Sequence, residues 1–257
     1  MILKIDFLEN KKIKIELTEK EFELLNIASE FIQHNGENKE IILKRDFFSD
    51  KRKTPDVFRY TLTFNDKWKL NEHSKASEQF SQFYNKKNHY KFKDREINEA
   101  KNNNIVVILE SPHTKEYDSD FQAIAPAVGT TGNNFKKYFV KYVLPILNNL
   151  GLHLKTNNKY NILFVNPVPY QTSLAQIHNA GMIKNLKIKV WKKLFEVLKN
   201  DFKKTINEIE ADFIINAATS DVTEEITKIF KDTTVFEVSH PSSWHFLKSF
   251  QKKQGEK

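Results

Sequence analysis

Four short stretches bring together side chains that can hydrogen-bond a ligand or exchange protons with it. Glu110-Ser111-Pro112-His113, with Glu116 just beyond, offers a carboxylate, a hydroxyl and an imidazole within a few positions. Asn166-Pro167, Asn216-Ala217 and Ser239-His240-Pro241-Ser242-Ser243-Trp244 add amides, a second imidazole and further hydroxyls. Each stretch directly follows a short strand-like run: the apolar Ile105 to Leu109, Ile162 to Val165 and Phe213 to Ile215, and the mixed Thr234 to Val238. Such runs fit strands buried on both faces, and open α/β sheets bind ligands just outside the carboxyl ends of their strands. Any one stretch reads equally well as an ordinary polar exit from a strand. Four strands in one sheet would gather Glu110, Asn166, Asn216 and His240 along one edge.

The segments between the runs supply the helices that a parallel sheet needs. Amphipathic patterns run from about Phe135 to Leu150 with a Gly151 stop, from Gln176 to Asn200 or beyond with Trp191, Leu194, Phe195 and Leu198 on one face, and to Phe230 from a Ser220-Asp221 cap. Two of only 6 glycines, Gly129 and Gly132, precede the first of these helices. They fit close backbone approach to a phosphate at a helix N-terminus, or simply a tight loop. Residues 96–257 are therefore expected to form one α/β domain. Residues 1–95 read as an α+β extension. A hairpin over residues 2–7 and 13–17 is followed by a helix that opens on a Thr18/Glu21 capping box and closes at Gly36, and strand-like pieces lie at Ile41 to Leu43 and Phe58 to Phe64. Between about Asn71 and Asn104, Lys-Lys pairs interleave with Phe80, Phe83, Tyr84, Tyr90 and Phe92, either stacking bases or packing inward.

Composition bounds what this chemistry can be. A hydrophobic content of 39% with 21 Phe in 257 residues supports a substantial core. The net charge is +8, with 20 basic against 18 acidic residues in 1–100 and 21 against 15 in 101–257, so the excess lies with the candidate site. That favours a polyanion such as DNA, although a solvated lysine-rich surface gives the same count. The absence of cysteine excludes disulfides, thiolate nucleophiles and cysteine-held zinc or iron–sulfur clusters. His113, His178 and His245 lack a metal-ligand spacing, so neither a metal nor another cofactor is expected. No Gly-x-Ser-x-Gly elbow supports an ester or nucleotide hydrolase. With no long apolar run and no signal-peptide pattern, no membrane association is expected, and a cytoplasmic location is.

In order and spacing, the motifs of residues 100–250 resemble those of the uracil-DNA glycosylase superfamily. Its first motif, Gly-Gln-Asp-Pro-Tyr or Gly-Glu-Ala-Pro-Gly with an acidic residue further on, is matched by Leu109-Glu110-Ser111-Pro112-His113 and Glu116. Pro-Phe-Val-Gly-x-x-Gly is matched by Pro126-Ala127-Val128-Gly129-Thr130-Thr131-Gly132, a strand-ending Asn that reads a base edge by Phe164-Val165-Asn166, and His-Pro-Ser-x-Leu by His240 to Trp244. The chain departs at Leu109 for Gly, at Ser111 for a water-positioning Asp, at Ala127 for a stacking Phe and at Trp244 for a wedge Leu. It also lacks the cysteines of the iron–sulfur branch.

The resemblance implies a three-layer α/β sandwich with a central, mainly parallel four-stranded sheet, alongside the N-terminal α+β extension. It implies a DNA glycosylase that flips a damaged or modified base out of the stack, in repair or in defence against phage DNA. Glu110 would hold the water or oppose the oxocarbenium charge, His240 would hydrogen-bond the departing base, and Ser111 stands where a catalytic acid can sit. Asn166 would read the base edge, with His113, Ala127 and Asn216 around it. Gly129, Thr130, Ser242 and Ser243 would contact DNA, and Trp244 would wedge into the duplex. His113 in place of a Tyr that bars 5-substituted pyrimidines, together with the small Ala127, implies a bulky base. The N-terminal region would grip DNA or bind a protein partner. The alternative is a catalytically inactive DNA-binding or sensing protein, because Ser111 replaces the acid.

Overall fold

The computed structural model describes residues 1–8, 11–26, 29–72, 103–177, 183–230 and 233–247. The aromatic stretch Phe80 to Phe92 and His178 lie outside them. The N-terminal hairpin forms as its alternation requires: β1 (Ile2–Leu8) and β2 (Lys11–Glu16) pair antiparallel with Ile2 opposite Glu16, burying Leu3, Ile5, Ile13 and Ile15. The Thr18/Glu21 capping box is present, with Glu21 N donating to Thr18 Oγ1 at 3.3 Å and Thr18 N to Glu21 Oε2 at 2.8 Å. The helix it starts, α1 (Glu19–Leu25), is short, and the expected continuation to Gly36 is corrected. Ile32–Asn35 is instead a strand, β3, antiparallel to β4 (Glu40–Leu43), which lies parallel to β1. Phe31 and Ile32 fit a helical period, but β-branched Ile32 finds Leu43 as a ladder partner, and cross-strand pairing outweighs a weak local preference.

The second sheet has six strands rather than four, in the order β10-β9-β7-β8-β5-β6, made by β5 (Val57–Asn65), β6 (Lys67–Glu72), β7 (Asn103–Ile108), β8 (Tyr160–Val165), β9 (Phe213–Asn216) and β10 (Val235–Glu237). β10, β9, β7 and β8 run parallel, whereas β5 joins β8 antiparallel and carries β6 with it. The molecule is thus α/β with two mixed sheets. The extra hairpin covers what would otherwise be an open edge at β8.

Successive residues of the parallel strands face two different apolar clusters. Ile105, Val107, Ile162, Phe164 and Ile215 join Phe135, Phe139 and Trp244 on one face. Val106, Ile108, Leu163, Val165 and Ile214 join Trp191, Leu194, Phe195 and the N-terminal sheet on the other. On the first face lie α2 (Thr130–Tyr138), a π-helical turn (Phe139–Val143) and α3 (Leu144–Asn149). Pro145 explains the turn, because it cannot donate to Lys141 and its ring crowds that carbonyl, so the ladder widens just before it. α4 (Leu174–Ile177) leads into the 26-residue α5 (Lys184–Ile209), which covers the second face. α6 (Thr223–Thr227) starts later than its expected cap: its N-cap is Val222, without a side-chain bond, and Asp221 instead pairs with Lys184 at 2.8 Å.

Candidate active site

The parallel ladder sets the strand ends level. Ile108 stands opposite both Val165 and Asn216, and the ladder extends one step beyond the strands as Leu109 N bonds Val165 O at 2.9 Å, Ala217 N bonds Ile108 O at 2.9 Å and Val238 N bonds Asn216 O at 3.0 Å. Residues leaving β7 pass to the α2 face and those leaving β9 to the α5 face, so the chain parts between them. Glu110 sits at this parting, 3% exposed. Thr219 Oγ1 donates to its Oε2 at 2.5 Å, Lys187 Nζ on α5 stands 2.6 Å from its Oε1, and Trp191 Nε1 donates to its main-chain oxygen at 3.0 Å. The carboxylate is therefore paired and aimed. It is not a bare negative charge.

His240 is half-buried at the far end of the edge. Its Nδ1 accepts from Ser242 N at 3.3 Å and lies 2.8 Å from Ser242 Oγ, so in the neutral ring the proton is on Nε2. Burial pushes its pKa down to about 4, opposed by the Glu110 charge and reinforced by that of Lys187. The result is a neutral N–H donor at ordinary pH. Because the folded pKa is depressed, the stability linked to this ring is complete above about 6.5 and is lost as pH falls toward about 4.

Asn166 differs from Glu110 and Asn216, whose side chains are hydrogen-bonded. At 6% exposure, neither its Oδ1 nor its Nδ2 has a hydrogen-bond partner among the described residues. Pro167 ends the strand immediately after it, leaving the amide at the terminus of β8, one residue past Val165, which pairs with Ile108 of β7. An unsatisfied buried polar group costs about 1–3 kcal/mol, so a ligand able to pair with both ends of the amide recovers that energy on binding. Asn166→Leu should consequently leave the melting temperature unchanged or higher while weakening ligand turnover by about 10-fold or more. A clear drop in melting temperature would assign the amide to folding instead.

The other expected site residues divide. Ser111 Oγ lies 2.8 Å from Thr172 Oγ1 at the rim, and His113 Nδ1 accepts from Lys115 N at 3.2 Å, capping the turn Thr114–Glu116. Reduced hydration, then the charges of Lys115 and Lys187, hold the His113 pKa below its usual value. Gly129 is the N-cap of α2 with Thr130 exposed beside it, and a Cβ on Gly132 would meet the Ala127 carbonyl at 1.8 Å, so glycine is required for the loop to fold back under the helix. Ser242 and Ser243 Oγ both bind within the loop, the latter donating to His240 O at 2.7 Å.

Three readings are corrected. Asn216 does not present its amide to a ligand: Nδ2 donates to Thr223 O and Thr227 Oγ1, both at 3.1 Å, and Oδ1 accepts from Ala218 N. It shapes the turn that carries Thr219. Trp244 is not a wedge: it is 1% exposed, packs against Phe135 and Phe139, and donates from Nε1 to Ser239 O. Ala127 is not a small residue at an open pocket floor: it is fully buried at φ +58 against Gly132, leaving no room that an aromatic ring has vacated. The case for a bulky base loses that support.

Glu116 lies beneath the site, 5% exposed, with Oε1 accepting from Ala127 N at 2.8 Å and so holding the left-handed residue in place. Burial raises its pKa from 4.5 to about 8, against the hydrogen bonds from Ala127 and His113 and the charge of Arg59. A raised folded pKa means that its contribution to stability is complete below about 4.5 and is lost as pH climbs through about 8. At about 1.4 kcal/mol per pKa unit the loss has an upper bound near 5 kcal/mol. Glu116→Gln should therefore flatten the fall in melting temperature between pH 5.5 and 9; parallel curves for both proteins would refute this.

Lys187, Thr219, Thr172 and Asn134 were not anticipated. Lys187 is one of five lysines between positions 184 and 193 and carries no local mark of its partner. Thr219 follows a strand-ending Asn, and that proximity was the available signal. Asn134 Nδ2 donates to Pro241 O at 3.0 Å and Ser242 O at 3.1 Å, clamping the His240 loop to α2. Among the described residues no group of three or more His, Asp or Glu is placed to hold a metal, and no helix is long and apolar enough to cross a membrane. No protein-family model matches this chain, and a search of curated proteins returned no match.

Proposed function

We propose that this chain is a DNA N-glycosylase that hydrolyses the bond between sugar and a flipped-out, modified base, in repair or in defence against altered phage DNA. The observation that carries the proposal is the buried Asn166 amide at the end of β8, without a partner among the described residues, on the same sheet edge as Glu110. A nucleobase edge presents a donor and an acceptor side by side, which is the complement of an amide. Two neighbours supply the remaining demands. The neutral Nε2–H of His240 suits a base leaving as an anion, because a donor already neutral needs no proton transfer to stabilise the charge. Glu110, held by Thr219, is oriented to take a proton from a nucleophile.

On this reading the four parallel strands with apolar clusters on both faces correspond to the sandwich of the uracil-DNA glycosylase superfamily, and the amide ends of α2 behind Gly129 receive a DNA phosphate. The basic excess of residues 101–257 favours the same polyanionic partner. The decisive experiment incubates the protein with duplexes carrying uracil, 5-hydroxymethyl and glucosylated pyrimidines, alkylated purines, and phage DNA, and detects abasic sites. Release of any of these bases, lost in Asn166→Leu, is the expected result. Tight DNA binding without abasic sites on any substrate would replace the enzyme by a sensing protein.

A further inference from the structure

Lys187 has a place in the site that a glycosylase using water alone does not require. Of the α5 lysines in ion pairs, Lys184, Lys189, Lys192, Lys193 and Lys204 have side chains 64%, 39%, 43%, 45% and 78% exposed, whereas Lys187 is 28% exposed and meets the almost fully buried Glu110. Its charge is felt at both His240 and His113. An ammonium ion held among these groups opposes a developing sugar cation and cancels the Glu110 charge that would stabilise it. The first difficulty vanishes if the amine gives up its proton, and the second no longer matters if its lone pair then bonds C1′ in place of a free sugar cation.

We propose that Lys187 is an amine nucleophile at C1′ of the sugar, giving the chain a second activity, strand cleavage at the abasic site through a Schiff base. This rests on the glycosylase reading. Lys187 Nζ passes a proton to Glu110 Oε1, the oxygen that Thr219 leaves free, and its lone pair forms the N–C1′ bond as the C1′–base bond breaks. The base departs with the bonding pair, hydrogen-bonded by His240 Nε2–H, and takes a proton from the new secondary ammonium. Glu110 returns its proton to O4′ as the C1′–O4′ bond opens, leaving an iminium between Lys187 and C1′. The carboxylate then accepts a C2′ proton, the 3′ phosphate leaves with the C3′–O pair, and water hydrolyses the imine to free the amine.

Sodium borohydride reduces such an iminium to a stable amine, so the full chain is mixed with borohydride and a duplex containing a preformed abasic site, which needs no knowledge of the base. A covalent protein–DNA adduct is expected, mapping by peptide mass spectrometry to Lys187. The adduct should fall at least 10-fold in Lys187→Gln and persist in Lys192→Gln, a control on the same helix. No adduct above the Lys187→Gln level, or an adduct mapping to another lysine, would overturn the proposal. Base release measured in parallel on the duplex panel separates the two readings. Release that continues at the wild-type rate in Lys187→Gln, with no adduct, removes the lyase and keeps the glycosylase, whereas an adduct without release on any substrate keeps Lys187 as nucleophile and removes the glycosylase.

Discussion

Replacing His240 by Ala should lower base release by about 100-fold or more, equivalent to about 2.7 kcal/mol of transition-state stabilisation, while folding and DNA affinity persist. The Nε2–H is offered by a ring whose other nitrogen is tied to Ser242 N, so the donor is fixed before substrate arrives. Glu110→Gln should cause a loss of similar size, because the amide can still meet Thr219 but cannot take a proton. The two losses should differ in their pH behaviour. With its pKa near 4, His240 stays neutral throughout the neutral range, so the wild-type rate should show no inflection from it between pH 5.5 and 7.5. An acid limb near pH 6.5 that disappears in His240→Ala would mean that the imidazole works as a cation or as a base. Full activity in both variants would remove the catalytic assignment altogether.

Trp244→Ala should reduce stability by about 3–5 kcal/mol, the range for deleting a large buried ring. The indole closes a stack with Phe135 and Phe139, at centroid distances of 5.4 and 6.3 Å, and its Nε1 ties the ring to Ser239 O just before His240. Its loss therefore loosens the loop that carries His240 as well as the core. For a chain of this size the melting temperature should fall by about 10 °C, and single- and double-stranded substrates should suffer alike. A normal melting temperature with a selective loss on duplex DNA would restore the wedge role.

The sheet edge was legible in the sequence because its signals are local. Five consecutive apolar residues from Ile105 cannot face water on either side, and Pro112, Pro167 and Pro241 follow the ends of three of the four parallel strands. The Thr18/Glu21 box was legible for the same reason, since both partners lie within one turn. What escaped depends on distant partners. Ile32 became a strand through Leu43, β5 entered the large sheet through β8, and Lys187 became part of the site through Glu110, 77 positions away. Trp244 stands where the resemblance would put an exposed wedge, but it is buried, because spacing in the sequence says nothing about which way a ring turns once Phe135 and Phe139 are there to receive it.

The pairing of β5 with β8 also governs how the chain reaches its native state. Val57 must find Phe164 across more than a hundred residues, so the larger sheet cannot close in the order in which the chain is synthesised. Until Tyr160–Val165 has emerged from the ribosome, the hairpin of β5 and β6 has a free edge with nothing native to meet, and afterwards β8 has one until the hairpin arrives. Both segments are rich in Val, Ile, Leu, Phe and Tyr, a composition that invites pairing with a second nascent chain. Slow refolding that depends on protein concentration is the kinetic signature of such an arrangement, and it would set a ceiling on expression yield that no substitution in the candidate site could lift.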